Sequence, residues 1–227
     1  MKKIFILSLP LFLFISLISF SHATEKTIAL LDFSNNSLFD KEKYSSLSPG
    51  LAEIMITELS KIKAFKLVER KKINALIEEM QLSQSGLISE ESNIQVGKLL
   101  GAQYLVFGSY MVNSKDKVRI DVRIVEVETG LTIKAEEVTD KLDKIFDIIK
   151  KLNDKIIKDL DIKLSSAERQ TLDEGSASLE VIAYFSQGIA FEEKKEFEKA
   201  KQMYIKALKS DQSYEPAKTR LKELMQK

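Results

Sequence analysis

The sequence predicts an α/β protein, a mixed β-sheet flanked by helices, followed by an all-α helical-repeat tail. Three observations predict it. Short β-rich apolar runs alternate with amphipathic helical stretches between Thr27 and Val112. Val118 to Ile124 then alternates between apolar and charged residues, the mark of a strand with one wet face. From Leu142 onward the apolar residues recur every three or four positions.

The amino terminus stands outside this fold. "MKK" precedes the 17-residue apolar run "IFILSLPLFLFISLISF", and "SHA" follows with small residues at Ser21 and Ala23. This is the order of a secretory signal, cut between Ala23 and Thr24. The expected organisation is a signal peptide at 1–23, an α/β domain at 24–164, a linker at 165–178 and a helical tail at 179–227. No later apolar run is long enough to span a bilayer as a helix, so no integral span is expected after cleavage.

"TIALLDF", from Thr27, is a buried strand, followed by a loop rich in Asn and Ser. Ser48 is placed to cap the next helix and Pro49 suits its first position, with Leu51, Ile54, Met55, Leu59 and Ile62 on one face. "AFKLVE" is a second strand and "RKKINALIEEM" a second helix. "LSQSGLIS" is a loop whose last residue, Ser89, caps the helix "EESNIQVGKLL". Gly101 stops that helix in the left-handed conformation.

"QYLVFGSYMV" is apolar on both faces, so a central strand covered on both sides is expected. "NSKDK" is a tight turn. Val118, Ile120, Val122 and Ile124 then point inward, and Arg119, Asp121 and Arg123 outward. "LTIKAEEVT" is the last strand. Leu142, Ile145, Phe146, Ile149, Leu152, Ile156 and Leu160 form the stripe of a long helix. "SSAERQTLDEGSAS" is polar and reads as a linker with room for a helical turn in it. Three helices complete the chain.

Composition removes several classes of function. Thirty-five basic residues face 34 acidic ones, which gives no broad footprint for nucleic acid. There is no cysteine, hence no disulfide, no thiol nucleophile and no Cys/His zinc site. The only histidine, His22, lies in the expected signal, so the usual general base is missing. "GKLLG" lacks the spacing of a phosphate loop: Ser92 and Leu99 stand where Gly and Ser or Thr are needed. "EEKKEFEKAK" cancels its own charge and reads as a solvated helical hairpin with pairs four apart. No catalytic residue, cofactor or metal ligand is expected. The enzymatic alternative rests on Asp32 and Glu69 at strand ends, against which stand a turn-capping role for Asp32 and an ion pair or helix cap at Glu69 and Arg70.

"IALLDFSN", "GLAEIMITELSKIKAFKLVERKKINALIEEMQLSQSGLI", "VGKLLGAQYLVFGSY" and "VRIDVRIVEVETGLTIKAEEV" together resemble the curli production assembly/transport component family. They are similar also to TolB amino-terminal and FlgO-like domains. The resemblance covers Thr27 to Leu164. It implies a periplasm-facing α/β domain, associated with the outer membrane, that binds envelope or secreted proteins. Homo-oligomers are known in the family, and a ring subunit of an outer-membrane secretion complex is an alternative role. Two departures bear on that alternative: no cysteine to carry lipid, and no room at Asn113–Lys117 or after Thr139 for membrane-spanning hairpins, whose strands take about 9–11 residues each.

The tail resembles one tetratricopeptide repeat, with Tyr184, Gly188 and Phe191 on its first helix and Ala200, Tyr204 and Ala207 on its second, at the usual spacing of about 34 residues. Gln212 stands where proline is common. Phe185 and Ile189 fall on the opposite side of the first helix. They are expected to contact the α/β domain, a second subunit or a partner.

Overall fold

The computed structural model describes residues 25–80, 89–113 and 116–226. The expected signal, its junction at Ala23 and Thr24, and most of the loop before Ser89 lie outside the described residues.

Strand β1 (Lys26–Asn35), helix α1 (Leu47–Leu59) and the short strand β2 (Phe65–Leu67) open the fold. Helices α2 (Arg70–Glu79) and α3 (Glu90–Leu99) lead to β3 (Tyr104–Val112), β4 (Lys117–Glu126) and β5 (Leu131–Lys141). A single 3-10 turn, Leu142–Lys144, passes into α4 (Ile145–Asp159). Then come α5 (Ser166–Glu174), α6 (Leu179–Glu193), α7 (Phe197–Ser210) and α8 (Glu215–Met225).

The sheet order is β2-β1-β3-β4-β5. The β2-β1-β3 half is parallel and the β3-β4-β5 half is an antiparallel meander, so the sheet is mixed. Gly101 has φ +65° just past α3, where its amide bonds to the Lys98 carbonyl and that of Ala102 to Gly97, the two closures of a left-handed helix stop. The Ser89 hydroxyl accepts from the Ser92 amide, as expected of a cap.

The sheet separates two apolar clusters. On one face Ile28, Leu30, Val106, Tyr110, Ile120 and Val122 meet α1, α4 and the last helices. On the other, Ala29, Leu31, Leu105 and Val125 meet Ile73 and Ile77 of α2 and Val96 of α3. The second cover is partial. Leu105 is buried, Phe107 and Ser109 are half-buried and Met111 is exposed, so β3 is central in the sheet but covered on both sides only at its start. Two short helices cannot cover five strands.

Three other expectations are corrected. Ser48 lies inside α1 rather than at its cap, and its hydroxyl donates to the Phe33 carbonyl. Asp32 does not cap the following loop: Asn35 does, accepting from the Ser37 amide and donating to the Lys41 carbonyl. Residues 165–178 hold a nine-residue helix, α5, started by a capping box in which Ser165 and Glu168 each bind the other's backbone amide. Leu172 of α5 is buried in the main core.

The tail docks on the α/β part of the same chain. Phe185 is fully buried and Ile189 nearly so, packed in the cluster that holds α1 and the sheet. Within this chain both side chains are enclosed by that cluster. Burying Val181, Ile182, Phe185 and Ile189 stabilises the folded chain by roughly 1.5–3 kcal/mol each. Gly188 permits the α6–α7 contact, since a Cβ there would overlap the Tyr204 ring. Gly50 does the same for α1 and α6, where a Cβ would overlap the Ser186 hydroxyl.

Candidate functional site

Asp32 and Arg70 belong to an ionic cluster, centred on the buried Arg70 and Glu53, that joins six elements. Asp32 ends the apolar run of β1, and Arg70 opens α2 directly after β2, which brings the two side chains together across the parallel strands. Arg70 donates to Asp32 and to Glu193 at the end of α6. The Glu193 carboxylate also accepts from Asn74 at 3.1 Å. Glu53 of α1 places Oε2 3.4 Å from Arg70 Nε, near enough to attract but not aligned to hydrogen-bond. Its other oxygen accepts from Arg220 of α8. Arg220 also lies 3.7 Å from both Glu192 and Glu223. The Tyr204 hydroxyl of α7 donates to Glu192 at 3.0 Å.

Arginine suits this junction because its planar fork holds several carboxylates at once. Burial works against the charge on Arg70, yet Asp32, Glu193 and Glu53 outweigh it, and its pKa rises. Burial also lifts the Glu193 carboxyl above its ordinary range; Arg70 opposes the rise and Asp32 adds to it. Burial, reinforced by the Glu192 charge, raises the Tyr204 hydroxyl well above its usual value.

Glu69 is not part of this cluster. Its side chain is 70% exposed, 3.9 Å from Lys72, and makes no cap bond at the start of α2. The cleft beside Asp32 is not lined by Glu69, so the two carboxylates of the enzymatic alternative do not converge. Asp32 is engaged by Arg70 instead. The charged run "EEKKEFEKAK" likewise differs from expectation: its pairs, Glu196–Lys199 and Glu198–Lys201, are three apart, and Glu193 is drawn inward. Glu53, Glu193 and Arg220 carried no local signal, because their partners lie up to 167 residues away.

Two clefts share Lys43, Ser46 and Gln187 and form one groove along α6, beside the β1–α1 connection. The first, about 670 Å³, is walled by Tyr44, Leu47, Leu142, Leu179 and Ala183. The second, about 610 Å³, is walled by Asn35, Lys41, Ala190, Phe191 and Lys194. The groove presents small and apolar side chains with a charged rim. Among the described residues no cluster of His, Cys, Asp and Glu could hold a metal ion, and no helix is long and apolar enough to cross a membrane.

A third feature is the face of the β3-β4-β5 half that α2 and α3 leave uncovered among the described residues. Arg119 donates to Asp121 at 2.6–3.0 Å and to Glu137 beside it, and Arg123 lies 3.3 Å from Glu90.

No curated protein matches the sequence. Several solved structures are similar in part. The LpoB C-terminal domain from Salmonella enterica is 17% identical over 52% of this chain and 84% of that one, with a TM-score of 0.41. Lipoprotein GNA1162 from Neisseria meningitidis is 9% identical over 61% and 99%, with a TM-score of 0.43. The PelC dodecamer from Paraburkholderia phytofirmans is 11% identical over 63% and 91%, with a TM-score of 0.39. In sequence, residues 13–112 match the family described as curli production assembly/transport component CsgG, and the match ends at Val112, the last residue of β3.

Proposed function

We propose that the chain is a cell-envelope protein of the curli-transport type, facing the periplasm, which acts by binding envelope or secreted proteins and not by catalysis. The observation that carries this reading is the family match, which takes in the whole parallel half of the sheet. The geometry supports it: Asp32 and Arg70 serve to fasten the tail, and the groove along α6 is shaped for a polypeptide segment. The α6–α7 hairpin acts as a single tetratricopeptide-like unit, a reading supported by the fit of Gly188 to Tyr204. The signal is removed at Ala23, and the mature protein associates with the outer membrane through its partners.

A role as the pore itself is disfavoured. Four residues join β3 to β4, and β5 passes directly into the turn at Leu142. A membrane-spanning strand takes about 9–11 residues.

The test is in-cell photo-crosslinking from Gln187, combined with cell fractionation. The reading expects the protein in the periplasmic or outer-membrane fraction and a discrete adduct with an envelope protein. Ala190→Arg, which fills the groove, should abolish the adduct. Retention in the cytoplasm, or the same adduct yield from the Ala190→Arg protein, contradicts it.

A further inference from the structure

We infer that the uncovered face of β3, β4 and β5 is a binding site for a neutral polyhydroxylated ligand, a short glycan segment. The site is a cavity of about 580 Å³ above the sheet, within the 300–1,000 Å³ typical of ligand sites. Strand register builds it. Ser34 pairs with Ser109, Ser109 with Asp121, and Asp121 with Glu137, so a polar row crosses four strands on one face. Phe107 stands two residues before Ser109 on the same face, beside Arg123, and its half-buried ring offers a platform next to that row.

Two properties choose the ligand. The first is charge. Arg119 is held by Asp121 and Glu137, and Arg123 by Glu90, so every guanidinium in the cavity already faces a carboxylate. An anion or a cation entering here would meet compensation of both signs. The second is an unmet hydrogen bond. Asn93 of α3 lines the wall, is only 6% exposed, and its Oδ1 has no partner among the described residues. Buried polar atoms are seldom left so, and an apolar ligand would leave this one stranded. A peptide strand fits less well, because the backbone groups of β3 and β4 are spent on their neighbours and a sheet binds strands at its edges. Sugar hydroxyls both donate and accept, which matches Asn93, Ser109 and Asp121. The C–H face of a pyranose would lie on the Phe107 ring.

The experiment is an amide NMR titration of the purified protein with cellotetraose and with tetra-N-acetylchitotetraose. The titration runs to about 10 mM, which reaches dissociation constants in the millimolar range. Saturable shifts at Asn93, Phe107, Ser109 and Arg123 are expected with at least one sugar. Asn93→Ala should weaken binding about three- to tenfold while leaving the thermal midpoint unchanged or raised, since it removes a buried carbonyl oxygen with no partner among the described residues. Phe107→Ala should abolish the shifts. The inference is overturned by any of three results: no saturable shift with either sugar, unchanged affinity in Asn93→Ala, or tighter binding of the neutral peptide Ser-Gly-Asn-Ser at the same residues.

Discussion

Arg70 and Glu193, 123 residues apart in the chain, form an ion pair that ties the start of α2 to the end of α6. Arg70 is buried and Glu193 half-buried, and Arg70 faces two further carboxylates. Removing one side of such a cluster costs more than the cluster itself contributes, because the remaining charges stay buried without a partner.

Arg70→Ala is therefore expected to destabilise the protein by about 3–5 kcal/mol in urea unfolding. Glu193→Gln should cost less, because the amide keeps an oxygen that can still accept from Arg70 and Asn74. The two changes should fall short of additive by about 1 kcal/mol or more, the mark of direct coupling. Strict additivity would show that the contact contributes nothing.

Gly188→Ala should cost about 1–3 kcal/mol, because the new methyl overlaps the Tyr204 ring. In a Tyr204→Ala background the same substitution should cost almost nothing beyond that background. Gly101→Ala gives the contrast. Nothing lies near its missing Cβ, so only the strain of φ +65° remains, about 1 kcal/mol.

Glu168 predicts an acid-side loss of stability. Hydrogen bonds from the Ser165 hydroxyl and amide, and from the Lys63 amide, hold its carboxyl at about 2 against an ordinary 4.5. A carboxyl depressed on folding adds stability above 4.5 and loses it as pH falls through about 2. The site is open to solvent, so the effect should be only about 0.5–1 kcal/mol after screening. Glu168→Gln should flatten unfolding free energy over that window. Glu193 has the opposite sign: its raised carboxyl favours the fold on the acid side, and that contribution is lost as pH rises through its folded value.

Local patterns in the chain foretold the strands, the Ser89 cap, the Gly101 stop and the stripe of α4, because each depends on residues a few positions apart. They also placed Phe185 and Ile189 on one side of α6. Helix α5 was legible too, since Ser165 and Glu168 stand at capping-box spacing, but its polar composition masked the signal. The ionic cluster was not legible. Asp32 and Arg70 are 38 residues apart and Arg220 and Glu53 are 167, and no local periodicity encodes such partners. The uncovered sheet face was hidden for a related reason. Phe107 and Met111 look like core residues until the reach of α2 and α3 is known.

Phe185→Ser should destabilise the monomer by about 3–5 kcal/mol, since it opens a cavity among α1, Tyr204 and Tyr214 and buries a hydroxyl. Ile189→Ser should act in the same direction. Loss of association with unchanged thermal stability would mean that the two residues serve a partner instead.

Helices α6, α7 and α8 form one body with the sheet, held by a shared core and by Arg70 and Arg220. Native-state hydrogen exchange tests it most directly. Amides at the centre of α6, from Phe185 to Ile189, should exchange with the same opening free energy as those of Leu105 and Val106 in β3, and both should match global unfolding. Opening of α6 at several kcal/mol below the strands would show instead that the tail is a separately detachable unit.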